Sequence, residues 1–168
     1  MVDDPELLLA LLNSRPVLDG AERDELGDER SGRAWATAHG GVGTAGELRR
    51  LRAVREELTE VVLGKRAPSV LAHALEGVHQ RPVLDDGGLS WELVAGTDAL
   101  LPARAVLAWA WVAEQLPGRL RPCGNEECRL FLLDRSKANK ARWCSMATCG
   151  NRMKARRHYE RNRPRAQQ

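Results

Sequence analysis

The chain has 168 residues, 43% hydrophobic and 29% charged, a composition typical of a soluble globular protein with one or two domains. It holds no apolar run near the roughly 18 residues that a membrane span needs, and no positive segment precedes its first apolar run, so we expect a cytoplasmic protein. The net charge is +3, but its distribution is uneven. Residues 1–118 are acidic, with twelve Lys or Arg and nineteen Asp or Glu. Residues 119–168 are basic, with fourteen Lys or Arg and four Asp or Glu.

The first predicted helix follows Asp3-Asp4-Pro5 and covers ELLLALLNS, because acidic residues cap helix N-termini and proline fits the first turn. Residues 15–43 are polar and interrupted by glycine, which is typical of short elements. We expect short helices around Ala21–Leu26 and Arg30–Ala38.

A longer helix is predicted after Thr44-Ala-Gly-Glu47, a capping box in which the threonine accepts from an early N–H and the glutamate reaches back. Apolar residues then recur at helical spacing until Gly64. They are Leu48, Leu51, Val54, Leu58, Val61 and Val62. Another helix is expected from Pro68 to about Val78.

The pattern changes at Arg81, where two short β-prone stretches flank Asp85-Asp86-Gly87-Gly88, and this predicts a β-hairpin. A final apolar helix is predicted over about 98–116, and Pro117-Gly118 ends it. We therefore expect a mostly helical domain over 1–118, a second domain over 119–165 and a short tail, 166–168.

The four cysteines all lie in the second domain, with the spacing Cys123-x4-Cys128-x15-Cys144-x4-Cys149. Two close pairs separated by a longer loop can bring four thiolates to tetrahedral positions around one Zn²⁺. The alternatives are two disulfides, which a reducing cytosol disfavours, or four unrelated cysteines. Four protein ligands leave no open position for substrate, so we expect a structural metal and no enzyme.

The residues between the pairs predict a β-hairpin, with strands over 129–136 and 141–144 and a turn over 137–140. A helix is expected from Met153 to Arg163. The predicted fold is thus mainly α with a small β-hairpin in the N-terminal domain, followed by a treble-clef-like Cys₄ zinc finger of knuckle, hairpin and helix.

Four further residues are predicted to support the zinc site. They are Gly124, Trp143, Gly150 and Asn151. Glycine after a ligand cysteine allows a tight turn whose N–H groups could donate to the thiolates, and Asn151 could cap the following helix. So small a module cannot be stable by burial alone, and zinc binding would supply the missing free energy.

The segment FLLDRSKANKARWCSMATCGNRMKARRHYERNR resembles the bacterial CGNR zinc-finger family, whose signature stands here at Cys149-Gly150-Asn151-Arg152. Members of that family typically carry an N-terminal ABATE domain, described for stress-induced transcription regulators. The opening LLLALLNSR, with Asn13-Ser14, and the helix around Leu51-Arg52 resemble that domain more loosely. The resemblance implies a zinc-dependent DNA-binding module and a regulatory body that senses a small-molecule effector or forms a homodimer.

The basic residues of the second domain are the candidate contacts to double-stranded DNA. They are Arg135, Lys137, Lys140, Arg142, Arg152, Lys154, Arg156, Arg157, Arg161 and Arg163. Lys154, Arg157 and Arg161 share one face of the predicted helix. The alternatives are that these charges only solvate the module, that it binds RNA or single strands through Phe131, Trp143 or Tyr159, or that it is a protein-interaction scaffold.

Overall fold

Residues 4–18 and 21–162 are described by the computed structural model, and their helical body, residues 4–118, is built on four α-helices. These are α1 (Pro5–Leu12), α2 (Glu29–Ala38), α3 (Ala45–Val62) and α4 (Leu100–Gln115). A 3₁₀ helix over Pro68–Leu75 packs against α3 and α4. The predicted contact residue Arg163 and the predicted tail, 166–168, lie outside the described residues.

The caps expected for two helices are present. The Asp4 side chain accepts from the Leu7 N–H at 3.0 Å, and the Thr44 hydroxyl accepts from the Glu47 N–H at 3.0 Å. The Glu47 carboxylate accepts from the N–H groups of Val42 and Gly43 rather than from that of Thr44. The reciprocal half of the predicted capping box is therefore wrong, because the preceding loop turns towards Glu47 through Gly43, whose φ is 71°.

The core of the body is formed mainly by leucine, valine and alanine side chains, most of them from α1, α3 and α4. Leu11, Leu51 and Leu58 are completely buried within it. Phe131, which lies beyond the body, is buried in the same cluster. Packing therefore joins the body to the cysteine-containing segment.

The helix predicted over Ala21–Leu26 is wrong, because strand β1 (Val17–Leu18) pairs there with strand β2 (Ala21–Glu22). Tertiary contacts explain the difference. The Asp24 carboxylate accepts from both terminal nitrogens of the buried Arg55 at 2.6 and 2.8 Å, and the Glu25 N–H donates to the Ser14 carbonyl. A regular helix would lose these bonds.

Strands β3 (His79–Asp85) and β4 (Gly88–Val94) form the predicted hairpin, with the two-residue turn 86–87. Neither strand packs extensively against another of the described helices or strands. Among the described residues, no helix combines the length and apolar character needed to cross a membrane.

In the cysteine-containing segment, strand β5 (Leu120–Pro122) pairs antiparallel with strand β6 (Phe131–Leu133). A π-helical turn over Met146–Gly150 then leads into helix α5 (Asn151–Asn162). The predicted pairing of 129–136 with 141–144 is wrong: the partner strand precedes the first cysteine. We call residues 119–162 the finger.

Candidate metal centre

The four cysteine sulfurs converge on one point of the finger. All four Sγ atoms lie within 4.8 Å of one another, and the Cys144 Sγ lies 3.7 Å from both the Cys128 Sγ and the Cys149 Sγ. A tetrahedral ion with Zn–S bonds of about 2.3 Å would set its sulfurs about 3.8 Å apart. A sulfur–sulfur bond requires only about 2.05 Å, so the geometry fits a shared zinc ion and excludes disulfides between these pairs.

Two local structures supply the ligands. Cys123 and Cys128 lie in the loop that joins β5 to β6, where the Cys123 N–H donates to the Leu130 carbonyl at 2.8 Å. Cys144 lies before the π-helical turn, and Cys149 lies within that turn, two residues before α5 begins. The ion would thus tie the hairpin loop to the start of the helix.

Hydrogen bonds to sulfur orient the ligands. The buried Asn125 donates from Nδ2 to the Cys149 Sγ at 3.6 Å, and the Cys144 N–H donates to the Cys123 Sγ at 3.4 Å. Such donors favour thiolates and fix their direction. The importance of Asn125 was missed in the sequence, although the repeated Cys-Gly-Asn tripeptide was a signal for it.

Burial, together with hydrogen bonds to the sulfurs, shifts the pKa of Cys128, Cys144 and Cys149. Burial raises the pKa of Cys128 to about 11 and moves that of Cys144 further upward. Burial also acts to raise the pKa of Cys149, but hydrogen bonds from Asn125 and the neighbouring thiols outweigh it and lower that pKa. Cys149 therefore ionises more readily than Cys128 or Cys144, and a metal ion must displace the protons of those two thiols when it binds.

The two glycines beside the ligands leave room for Trp143. A Cβ at Gly124 would lie 3.3 Å from the Trp143 ring and 3.0 Å from the Arg142 carbonyl. A Cβ at Gly150 would lie 2.9 Å from Met146 and 3.3 Å from the Trp143 ring. The N–H groups of Gly124 and Gly150 themselves donate to the carbonyls of Arg142 and Ser145, and the backbone donor to a ligand sulfur is the Cys144 N–H.

Asn151 does not cap the following helix. It lies inside the continuous helical segment, and its Nδ2 donates to the Ala147 carbonyl at 3.2 Å. The N-terminal cap is Ser145, whose hydroxyl accepts from the Thr148 N–H at 3.3 Å. Asn151 thus supports the turn that carries Cys149 through a backbone carbonyl.

Asp134 organises the loop that carries several basic residues. Its buried carboxylate accepts from the N–H groups of Ser136 and Ala141 at 2.8 and 2.7 Å and from Arg121 at 2.6 Å. The pKa of Asp134 is lowered to about 2, first by hydrogen bonding from Ser136. The Ala141 N–H and the Arg121 guanidinium lower it further. These bonds bend residues 134–141 away from an extended strand, which explains the absence of the predicted return strand.

The predicted DNA contacts fall into three groups. One concavity is lined by Lys140 and Arg142 together with Arg121. A second concavity is lined by Lys154, Arg157 and Arg161 together with Glu160. Arg135 pairs with Glu6 of the body, and Arg156 pairs with Glu127 and Glu160. Lys137 and Arg152 are exposed and form no ion pair among the described residues.

Asn13 joins the body to the finger. Its Oδ1 accepts from the Phe131 N–H at 2.7 Å, and its Nδ2 donates to the Phe131 carbonyl at 3.1 Å. Its side chain thus pairs with β6 as a neighbouring strand would. The Arg129–Glu22 and Arg135–Glu6 ion pairs also cross this junction.

Replacing Asn13 by alanine is expected to lower the free energy of unfolding by about 1–3 kcal/mol, because both backbone groups of Phe131 lose partners. Asn13→Asp keeps the acceptor for the Phe131 N–H but sets a carboxylate oxygen against the Phe131 carbonyl, so it should lose as much. Urea unfolding followed by circular dichroism measures both effects. Equal stability of wild type and Asn13→Ala would show that the paired bonds contribute nothing to the junction.

Comparison with family models shows that residues 119–162 match the CGNR zinc finger. The matched range contains all four cysteines and α5. A search of curated proteins found no match to the chain. The range does not include residues 1–118, so the ABATE-like character of the body stays a prediction.

Proposed function

We propose that the protein is a zinc-dependent DNA-binding protein, a bacterial transcription regulator whose finger contacts duplex DNA. The helical body would be the ABATE-like regulatory domain, which senses a small-molecule effector or dimerises. The finger would be of the treble-clef type, with zinc held by Cys123, Cys128, Cys144 and Cys149. No enzymatic role is proposed, because a tetrahedral ion bound by four thiolates has no open position.

The exposure and charge of α5 carry this proposal. Every residue from Asn151 to Arg161 is exposed except Met153, which is half-buried. The helix carries five Lys or Arg side chains and one glutamate. A cationic helix fixed at one end by a metal site suits the phosphate backbone of DNA.

The concavity lined by Arg121, Lys140 and Arg142 offers a second cationic surface on the same finger. No acidic side chain lines it among the described residues. Two separate cationic surfaces would let the finger contact phosphates at more than one point along a duplex, which fixes orientation as well as affinity.

Binding to RNA or single strands is less well supported. Such sites stack bases on exposed aromatic rings. Phe131 is buried in the core and Trp143 packs beside two glycines, so of the three candidate rings only Tyr159 is largely exposed.

The test is a titration with duplex DNA at several salt concentrations. The triple variant Lys154→Ala, Arg157→Ala, Arg161→Ala should bind at least tenfold more weakly than wild type. The negative slope of log affinity against log salt concentration should become shallower by about 2–3 units, since each phosphate contact contributes about −0.9 to it.

The matched control is Arg30→Ala, Arg49→Ala, Arg50→Ala, which removes the same charge from exposed positions of the body. It should retain nearly all affinity. If both triple variants lost the same affinity for DNA, binding would depend on net charge alone and not on α5. Absence of salt-dependent binding by wild type would refute the proposal. Single-stranded DNA and RNA competitors distinguish the alternative nucleic acids.

A further inference from the structure

A cavity of about 390 Å³ lies where the body meets the finger. Its body side is formed by the end of α1, the second half of α3 and the residues that follow α3, up to Lys65. Its finger side is formed by the end of β5, by Cys128 and Arg129 in the following loop, and by the first residue of β6. We call it the junction cavity. Its volume is that of a small-molecule site.

The wall of the junction cavity is part apolar and part cationic. Four of its residues are apolar, namely Leu12, Leu63, Pro122 and Phe131. Four carry a positive charge, namely Arg15, Arg55, Lys65 and Arg129. Among the described residues, Glu56 is the one acid that lines the cavity. Apolar surface with a few charged groups is typical of sites for small organic molecules, and the excess of cations favours an anion.

The cations of the wall exceed the carboxylates that pair with them by one. Three carboxylates pair with the arginines, and they are Glu22, Asp24 and Glu56. Lys65 is exposed and forms no ion pair among the described residues, and the acid nearest to it in sequence, Glu60, pairs with Arg66. Four positive groups against three negative ones leave a charge of +1. A bound monoanion would neutralise this charge, whereas a dianion such as a phosphate monoester would exceed it.

Arg55 also carries a donor whose acceptor is missing from the described residues. Its side chain is 4% exposed, and its terminal nitrogens donate to Asp24 and Ser14. The exception is Nε, which is buried and unpaired in that part of the chain. A buried donor without an acceptor is rare in folded proteins, because burial costs it its hydrogen bond to water. Since Arg55 lines the junction cavity, an oxygen atom of a bound molecule would be a source of the missing acceptor.

We propose that the junction cavity binds a small organic monoanion, a carboxylate attached to an apolar group. The ammonium group of Lys65 would pair with the carboxylate because, within the part of the chain that the structure describes, it is the cation of the wall without an ion pair. The apolar group would cover Leu63, which is 38% exposed, and contact Phe131. Such a molecule matches the wall in both charge and polarity.

A molecule in the junction cavity would contact the body and the finger at once. It would touch α3 on one side and Cys128 and Arg129 on the other, so it would stabilise the arrangement in which the two parts are joined. Because Cys128 is a candidate zinc ligand, occupancy of the cavity would also reach the metal centre. Use of this cavity as the effector site rests on the proposed function, whereas binding itself does not.

Backbone amide NMR of the zinc-loaded, full-length protein titrated with benzoate tests the proposal. Benzoate carries one negative charge on an aromatic ring, and it should bind with a dissociation constant of about 1 mM or lower. The amide signals of Thr59 and Arg129 should shift, while those of β3 and β4 stay unchanged. Benzamide, the uncharged analogue, and phenyl phosphate, a dianion, should each bind about tenfold more weakly or worse.

Two variants of the cavity wall test its charge and its apolar part. Lys65→Met removes the charge but keeps an unbranched apolar side chain, and it should weaken benzoate binding by about tenfold or more. Leu63→Glu, which puts a second acid into the wall, should do the same. The matched control is Arg66→Met, which removes a charge from the neighbouring exposed residue outside the cavity and should leave binding unchanged. Circular dichroism verifies that each variant is folded.

The inference is overturned if benzoate shifts no amide signal of the cavity wall at concentrations up to about 20 mM. It is also overturned if benzamide or phenyl phosphate binds as tightly as benzoate, if Lys65→Met or Leu63→Glu binds benzoate as wild type does, or if Arg66→Met weakens binding as much as Lys65→Met. These measurements contain no DNA. Their failure would therefore leave the DNA-binding proposal standing, and a failure of the duplex titration would leave the benzoate result standing.

Discussion

Replacing Cys144 by serine is expected to unfold the finger. Its sulfur lies 3.7 Å from those of Cys128 and Cys149, and its N–H donates to the sulfur of Cys123, so this residue contacts every other ligand. Structural zinc binding contributes on the order of 10–16 kcal/mol to such modules. The finger lacks a comparable source of stability, because its long helix α5 is almost entirely exposed.

The loss should extend into the body. Phe131 is 4% exposed and packs in the core of the body, and burial of such a side chain contributes about 1.5–3 kcal/mol. Unfolding of the finger would withdraw this side chain and break the bonds to Asn13. We therefore expect a lower melting temperature for the body in Cys144→Ser and in chelator-treated wild type.

NMR spectra of the backbone amides, recorded with and without a zinc chelator, show for each residue whether the finger is unfolded and whether the body is affected. The control is Ser145→Ala, which removes the neighbouring cap bond, keeps all four thiols and should cost only about 1 kcal/mol. A Cys144→Ser protein with a folded finger and an unchanged melting temperature would contradict the prediction.

Replacing Asp24 by alanine is expected to destabilise the body by about 3–5 kcal/mol. The substitution removes the two short hydrogen bonds, at 2.6 and 2.8 Å, by which the Asp24 carboxylate neutralises the guanidinium of Arg55, whose side chain is 4% exposed. The Ser14 hydroxyl would remain as an acceptor at 2.9 Å, and the exposed Glu56 carboxylate lies farther away, at 3.4 Å, so neither replaces the paired bonds to Asp24.

The same ion pair predicts a dependence on pH. Burial acts to raise the pKa of Asp24, but hydrogen bonds from Arg55 and the Leu26 N–H, with Arg15 adding to them, lower it from 3.8 to about 2. Because the folded pKa lies below the unfolded one, the ionised carboxylate stabilises the fold above about pH 4. That contribution is lost as pH falls from about 4 to 2.

Urea unfolding at several pH values measures both effects. The stability difference between wild type and Asp24→Ala should narrow steadily from pH 4 to pH 2. The control is Asp28→Ala, which removes an exposed capping acid and should cost about 1 kcal/mol. Equal costs for the two variants at pH 7 would show that the buried pair has no special role.

The local patterns of the sequence were sufficient for the long helices, the β3–β4 hairpin and the clustering of the four cysteines. Helical periodicity predicted α3 because its apolar residues face one core, and turn chemistry predicted the two-residue loop of the hairpin. Cysteine spacing predicted that the four thiols converge, because two close pairs can meet at one centre whichever strands carry them.

Features that depend on distant partners could not be predicted in this way. The strand partner of Phe131–Leu133 precedes the cysteines, because Asp134 bends the chain that follows. The segment containing Asp24 is held by Arg55, which lies far from it in sequence. The pair of hydrogen bonds between Asn13 and Phe131 likewise joins residues that are far apart in the sequence, and no local pattern indicates it.

The central claim is that four thiolates hold one zinc ion and that this centre organises the finger. X-ray absorption at the zinc edge, combined with metal analysis of the folded protein, tests it most directly. We predict one zinc ion per chain, surrounded by four sulfur atoms at about 2.3 Å. A fully folded finger without metal, or a zinc shell of nitrogen and oxygen atoms, would contradict the claim.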